Sequence, residues 1–185
     1  CYRVVAVRDT PTRITSTSND TCVLIYVPKR PDYQYNYNTT VQAGNTGVEE
    51  FFFVDSTAGY IGFQIQRGTE PDDMRNLWFM PFDLSTRYYQ YTDASARPAF
   101  NSYYYWVIGV DSCELNADTM NMSRTILLDA VANSNRTNSL EWNAYEGWNG
   151  SVTAYNIHRS VDGVYAFLAN VPSTQLTYTD SIQEI

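Results

Sequence analysis

The chain has 185 residues, 44% of them hydrophobic, enough for one or two domains with a real core, which excludes a disordered segment. Aromatics reach 15%, led by 16 Tyr, and with frequent Thr and Val they favour pleated surfaces, so an all-β protein is expected. Only Lys29 represents lysine, and 12 basic against 20 acidic residues give a net charge of -8, which opposes phosphate backbones and anionic lipid and argues against nucleic acid as a partner.

No apolar run approaches the roughly 20 residues that span a bilayer, so no membrane insertion is expected. The chain opens on Cys1 without an initiator Met, as a processed product or a segment of something longer does. Abundant Asn, Ser, Thr and Tyr with almost no Lys fits an extracellular or cell-surface location.

Taken in order, Tyr2 to Arg8 and Thr21 to Val27 read as strands on either side of the turn signal Thr10-Pro11-Thr12. Cys1 and Cys22 lie almost symmetrically about that turn, so a hairpin centred there would set them opposite each other. They are then either a cross-strand disulfide or two reduced, half-buried thiols, and Cys113 is a free or intermolecular thiol. Pro28 to Gly47 fits no strand pattern and is expected to be an irregular linker. Strand-like runs follow at Phe51 to Val54, Phe63 to Gly68 and Tyr103 to Val110, with a broad insert at Thr69 to Arg87 that carries Pro71 and Pro81. The last part alternates near period two through Leu140 and Trp142, then Val152, Tyr155 and Ile157. Asn149-Gly150 and Asp162-Gly163 supply the positive φ that tight turns need.

Two internal echoes organise these runs. Phe63-Gln64-Ile65-Gln66-Arg67-Gly68 matches Tyr155-Asn156-Ile157-His158-Arg159-Ser160, and both are followed by Tyr-Thr-Asp, at Tyr91 to Asp93 and Tyr178 to Asp180. Tyr105-Trp106-Val107-Ile108-Gly109-Val110-Asp111 matches Tyr2-Arg3-Val4-Val5-Ala6-Val7-Arg8. One repeating unit is therefore expected to be cut at an unusual phase.

Leu140 to Trp148, Tyr155 to Ser160, Tyr178-Thr179-Asp180 and the Tyr-x-Val-x-x-Val runs at Tyr2 and Tyr105 resemble strands B, C, E and F of fibronectin type III modules. More narrowly, Asp111-Ser112-Cys113, Ser123 to Leu128 and Trp142 to Trp148 resemble repeats of Bacteroidota gliding-motility-associated C-terminal-domain proteins, surface proteins exported by the type IX system. The likeness implies tandem fibronectin type III or immunoglobulin-like β-sandwiches. Residues 1-27 would be the terminal F-G hairpin of an incomplete sandwich, 28-47 the linker, 48-127 a complete domain, and 128-185 the A-to-E strands of a further sandwich. It also implies Trp142 and Phe53 as strand-B core anchors, Tyr155 and Phe63 as strand-C core residues, and Tyr2 and Tyr105 as F-strand tyrosines whose hydroxyls bond backbone groups. Ser56, Thr119 and Ser181 follow Asp in the manner of Bacteroidota O-glycosylation sites.

Each incomplete part would expose a strand edge and half a core, and the two parts are complementary. Either the last part of one copy is completed by the first part of the next, head-to-tail, or the chain is a window onto a longer repetitive protein.

Chemistry is hard to find. His158 is the only histidine and sits in an alternating strand, and Glu49-Glu50 and Asp72-Asp73 are adjacent carboxylates that face opposite ways on a strand. Glu70-Pro71-Asp72-Asp73 lacks the regular spacing of a calcium loop. No catalytic residue, metal or cofactor is expected, and the chain is read as not an enzyme. Trp78 and Phe79 in the insert and Trp148 at a turn are candidate ligand-binding residues, since exposed aromatic rings stack on sugars; such rings more often cap cores or meet neighbouring modules. The function expected is a structural component of an extracellular filament or adhesin whose partners are copies of itself; the alternative is a module on a secreted enzyme that binds surface glycans.

Overall fold

The computed structural model describes residues 1–23, 27–113, 116–148 and 150–182. Asn149 of the expected Asn149-Gly150 turn and the middle of the Thr21 to Val27 run lie outside the described residues. The strands are β1 (Val5–Arg8), β2 (Ile14–Thr17), β3 (Gln34–Val41), β4 (Val48–Val54), β5 (Tyr60–Gly68), β6 (Arg75–Pro81), β7 (Tyr88–Asp93), β8 (Tyr104–Asp111) and β9 (Asn116–Thr119). There follow β10 (Ser123–Arg124), β11 (Leu128–Ala132), β12 (Thr137–Trp142), β13 (Ala154–Val161), β14 (Val164–Pro172) and β15 (Thr177–Ser181).

Alternation in β4 turns Val48, Glu50, Phe52 and Val54 to a buried face and Glu49, Phe51 and Phe53 to the other. That face belongs to a three-stranded antiparallel sheet, β3-β4-β7, which packs on a five-stranded sheet, β10-β8-β5-β6 with β9 also on β8. The layers meet ring on ring, with Phe52 at 5.2 Å and Tyr89 at 4.9 Å from Phe63, and with Ile65, Tyr105 and Val107 fully buried beside them. Such rings gain from edge-to-face geometry beyond their burial, about 0.5–1.5 kcal/mol per pair.

Three expectations are corrected here. Pro28 to Gly47 is not an irregular linker: it contains β3, paired along its length with β4, so the complete sandwich begins before residue 48. Thr69 to Arg87 contains the regular strand β6, an edge position where Pro81 costs no ladder hydrogen bond. Phe53 is not the core anchor; Phe52 is, while Phe53 stacks on Tyr33 at 5.1 Å on the outer face.

A second pair of sheets follows. β11-β12-β15 faces β13-β14, with Trp142 edge-on to Tyr155 at 5.7 Å between them. Asp162 and Gly163 take positive φ in the two-residue turn that joins β13 to β14. The first hairpin stands apart: β1 pairs only with β2, and residues 1–23 are exposed throughout. Cys1 and Cys22 are joined by a disulfide at its open end.

Candidate functional site

The two sheet pairs are built on one plan. In both, one strand, β5 or β13, carries an Arg that meets the Asp of Tyr-Thr-Asp across the sandwich: Arg67 to Asp93 at 2.5 Å, and Arg159 to Asp180 at 3.1 Å. Both have a bulge at the same place, between Ile65 and Gln66 and between Ile157 and His158, which skips Leu77 of β6 and Leu168 of β14.

In the first pair the site is closed. Tyr105 is fully buried on β8 and its hydroxyl donates to Asp93 Oδ2 at 2.8 Å, while the amide and hydroxyl of Ser95 hold Oδ1 at 2.9 and 2.7 Å. Burial pushes the Asp93 carboxyl up, but the bonds from Ser95, Tyr105 and Arg67, with the Arg67 charge, outweigh it and the net shift is downward. Burial first, then the Asp93 charge, holds the Tyr105 hydroxyl protonated far above its ordinary range. The hydroxyl therefore serves a carboxylate rather than a backbone group. Tyr103 makes the backbone bond, accepting from Arg97 N at 3.1 Å, in the manner of a tyrosine corner.

In the second pair the corresponding site is an open groove of about 360 Å³, lined by Leu140, Trp142, Tyr155, Ile157, Arg159 and Asp180 among others. Trp142 is buried in its wall, and its indole N–H has no acceptor among the described residues. Among those residues, β13 is paired as a strand with β14 alone.

The strand order is fibronectin type III-like, with three strands facing four, the last of them split into β9 and β10. No protein-family model matches the chain, and no curated protein matches it. Solved structures do. A Fn3-like protein from Clostridium thermocellum is 14% identical over 53% of this chain and 91% of its own, with a TM-score of 0.38. The FN1-FN3 domains of chicken CNTN1 are 12% identical over 91% of this chain and 57% of theirs, with a TM-score of 0.34.

The candidate ligand-binding aromatics are not brought together on one element. Trp78 and Phe79 stand exposed on the edge strand β6, with Phe79 lying over Gly62. Trp148 lies in the loop after β12, against Tyr145 at 4.7 Å, where it borders a second cavity shared with β3. A further aromatic surface alternates at period two through Tyr33, Tyr35 and Tyr37, but with inverted polarity, the rings lying outside. On the outer face of β3-β4-β7, Tyr35 and Tyr88 flank Phe53 at 5.5 and 4.6 Å, continuing the Tyr33 stack. Thr119 and Ser181 are exposed, and Ser56 is half-buried. His158 is exposed, edge-on to Phe167, with no carboxylate or nucleophile hydrogen-bonded to it among the described residues. No group of three His, Cys, Asp or Glu converges to hold a metal among the described residues.

The join between the sandwich and the second sheet pair is hydrogen-bonded throughout. Tyr145 accepts from Thr39 N at 3.1 Å, and Arg124 N donates to Glu146 O at 2.8 Å. Asn143 accepts from Leu127 N at 2.7 Å, while Asn121 bridges Asn36 and the Gly147 carbonyl. Beneath it lies Glu50, fully buried, receiving bonds from Asn36, Thr39 and Ser123. Burial pushes its carboxyl up to about 8, against the smaller opposing effect of those bonds. No helix is long and apolar enough to cross a membrane among the described residues.

Proposed function

We propose that this chain is a structural, non-enzymatic component of an extracellular or cell-surface filament or adhesin, in which β-sandwich units are joined end to end. The observation that carries the reading is the hydrogen-bonded join: the loop Asn143 to Gly147 is tied to β3 and β10 by side chains and backbone, as a spacer that transmits force needs and a flexible tether does not. The Cys1–Cys22 disulfide fits an oxidising, extracellular setting. The likeness of Ser123 to Leu128 and Trp142 to Trp148 to type IX-exported surface proteins supports export by that route, with Ser56, Thr119 and Ser181 as glycan acceptors. Small-angle scattering tests the join. The expected profile is that of one fixed, elongated arrangement, which Tyr145→Phe combined with Asn121→Ala loosens; a wild-type profile of two freely jointed bodies would sink the reading.

A glycan-binding accessory module of a secreted enzyme is the second reading. It is favoured by the exposed rings of Tyr88, Trp78, Phe79 and Trp148, since flat aromatic faces stack on sugar rings. A glycan array probed with wild type, Tyr88→Ala and Trp78→Ala decides it; no binding by the wild type removes it.

A further inference from the structure

We propose that the groove between β11-β12-β15 and β13-β14 is a docking site for the β1–β2 hairpin of a second copy, with Tyr2 of that copy donating its hydroxyl to Asp180. The inference rests on the head-to-tail reading above and specifies its contact. The first sandwich supplies the template. There β8 lies against β5 in a register that pairs Arg67 with Tyr105, Ile65 with Val107 and Phe63 with Gly109. The repeat carries this over to β13 as Arg159 with Tyr2, Ile157 with Val4 and Tyr155 with Ala6.

Four observations agree on that register. First, the hairpin is already paired as β8 is paired with β9 and β10: Val5 faces Thr17 and Tyr2 faces Thr21, as Ile108 faces Thr119 and Tyr105 faces Ser123. Second, the disulfide occupies the place where Arg124 lies over the Tyr104 ring at 4.9 Å, so both hairpins are fastened at one position. Third, the Arg159–Asp180 pair stands in the groove in the arrangement that receives a buried tyrosine in the first sandwich. Fourth, a Cβ at Gly109 would overlap the Tyr60 ring, and the repeat replaces that pair by Ala6 and the smaller Val152. The hairpin brings apolar surface to the site: Tyr2 is 67% and Val4 72% exposed. Docking covers these side chains and gives β13 a hydrogen-bonded neighbour. Because hairpin and groove are different surfaces of one chain, the contact propagates rather than closing.

Sedimentation velocity with paired variants tests this. Wild type forms a concentration-dependent series of species. Val4→Asp disables only the hairpin, Ile157→Asp only the groove; each alone is monomeric, and an equimolar mixture gives a discrete dimer. Tyr2→Phe, which touches no other described element, weakens association about tenfold or more, the usual loss when a charged group loses a hydrogen bond. Unchanged exchange protection of the β13–β14 pair in Ile157→Asp and of the β1–β2 pair in Val4→Asp, in dilute protein, shows that each variant is folded. Assembly by either single variant overturns the proposal, as does a mixture that stays monomeric. A monomeric wild type whose β13 amides lose protection in Val4→Asp means that the hairpin closes on its own groove, which also overturns it. A groove kept for any other occupant leaves wild type and variants monomeric at every concentration, and that result overturns the proposal too. A rigid join in scattering together with monomeric chains defeats this contact and leaves the spacer reading standing; a loose join in assembling chains does the reverse.

Discussion

Glu50 is the residue where the fold's polar interior is most exposed to test. It is 0% exposed between β3 and β10, with hydroxyl and amide partners and, among the described residues, no cation hydrogen-bonded to it. Its folded carboxyl titrates at about 8 against an ordinary 4.5, so between those values the native chain holds a proton that the unfolded chain has lost. The stabilisation is complete below pH 4.5 and is lost as pH rises through 8, at up to ~1.4 kcal/mol per pH unit. Asp93 and Asp55, whose carboxyls are held below 3.8, act in a separate window: their contribution is present above that value and falls away in stronger acid. Urea denaturation at pH 5 and pH 8 is expected to show the higher midpoint at pH 5, and Glu50→Gln to flatten the difference. Equal midpoints in the wild type would contradict this account of Glu50.

Strand elements show where the sequence was legible and where it was not. Tyr-Thr-Asp and the Arg before it stand out because a buried carboxylate needs a cation at that position, and both copies carry the pair. β3 hid itself for a physical reason: its inward residues are Asn36 and Thr39, serving Glu50, while Tyr35 and Tyr37 face outward, so its polarity is inverted, and a bulge between Asn36 and Asn38 breaks the period. Phe51-Phe52-Phe53 is apolar on both faces, and only pairing with β7 decides which ring is inside. The β1–β2 hairpin was legible as a hairpin, although its second strand is Ile14–Thr17 rather than the expected Thr21 to Val27 run; its isolation implies weakness, since two strands without a covering layer are marginal in water. Its disulfide contributes about 3 kcal/mol by restricting the unfolded chain. Reduction is expected to bring the β1 and β2 amides to free exchange while β4, β5 and β8 keep their protection, as read by hydrogen exchange with mass spectrometry. Retained protection in the hairpin would mean that something other than the disulfide holds it.

At the scale of the whole molecule, the described residues form one closed sandwich, a hydrogen-bonded join, a second sheet pair with an open groove, and a hairpin that is exposed throughout. On the function proposed above, length comes from the join and continuity from the groove, so stiffness and assembly separate experimentally. The loop Asn143 to Gly147 carried no signal of the bonds it makes, because they run to residues far away in sequence. The most direct measurement is hydrogen exchange at the β13 amides that point away from β14, followed from dilute to concentrated protein. Protection that rises with concentration, in step with protection of β1, is the predicted result. Protection that is independent of concentration would contradict the docking of one copy's hairpin into the next.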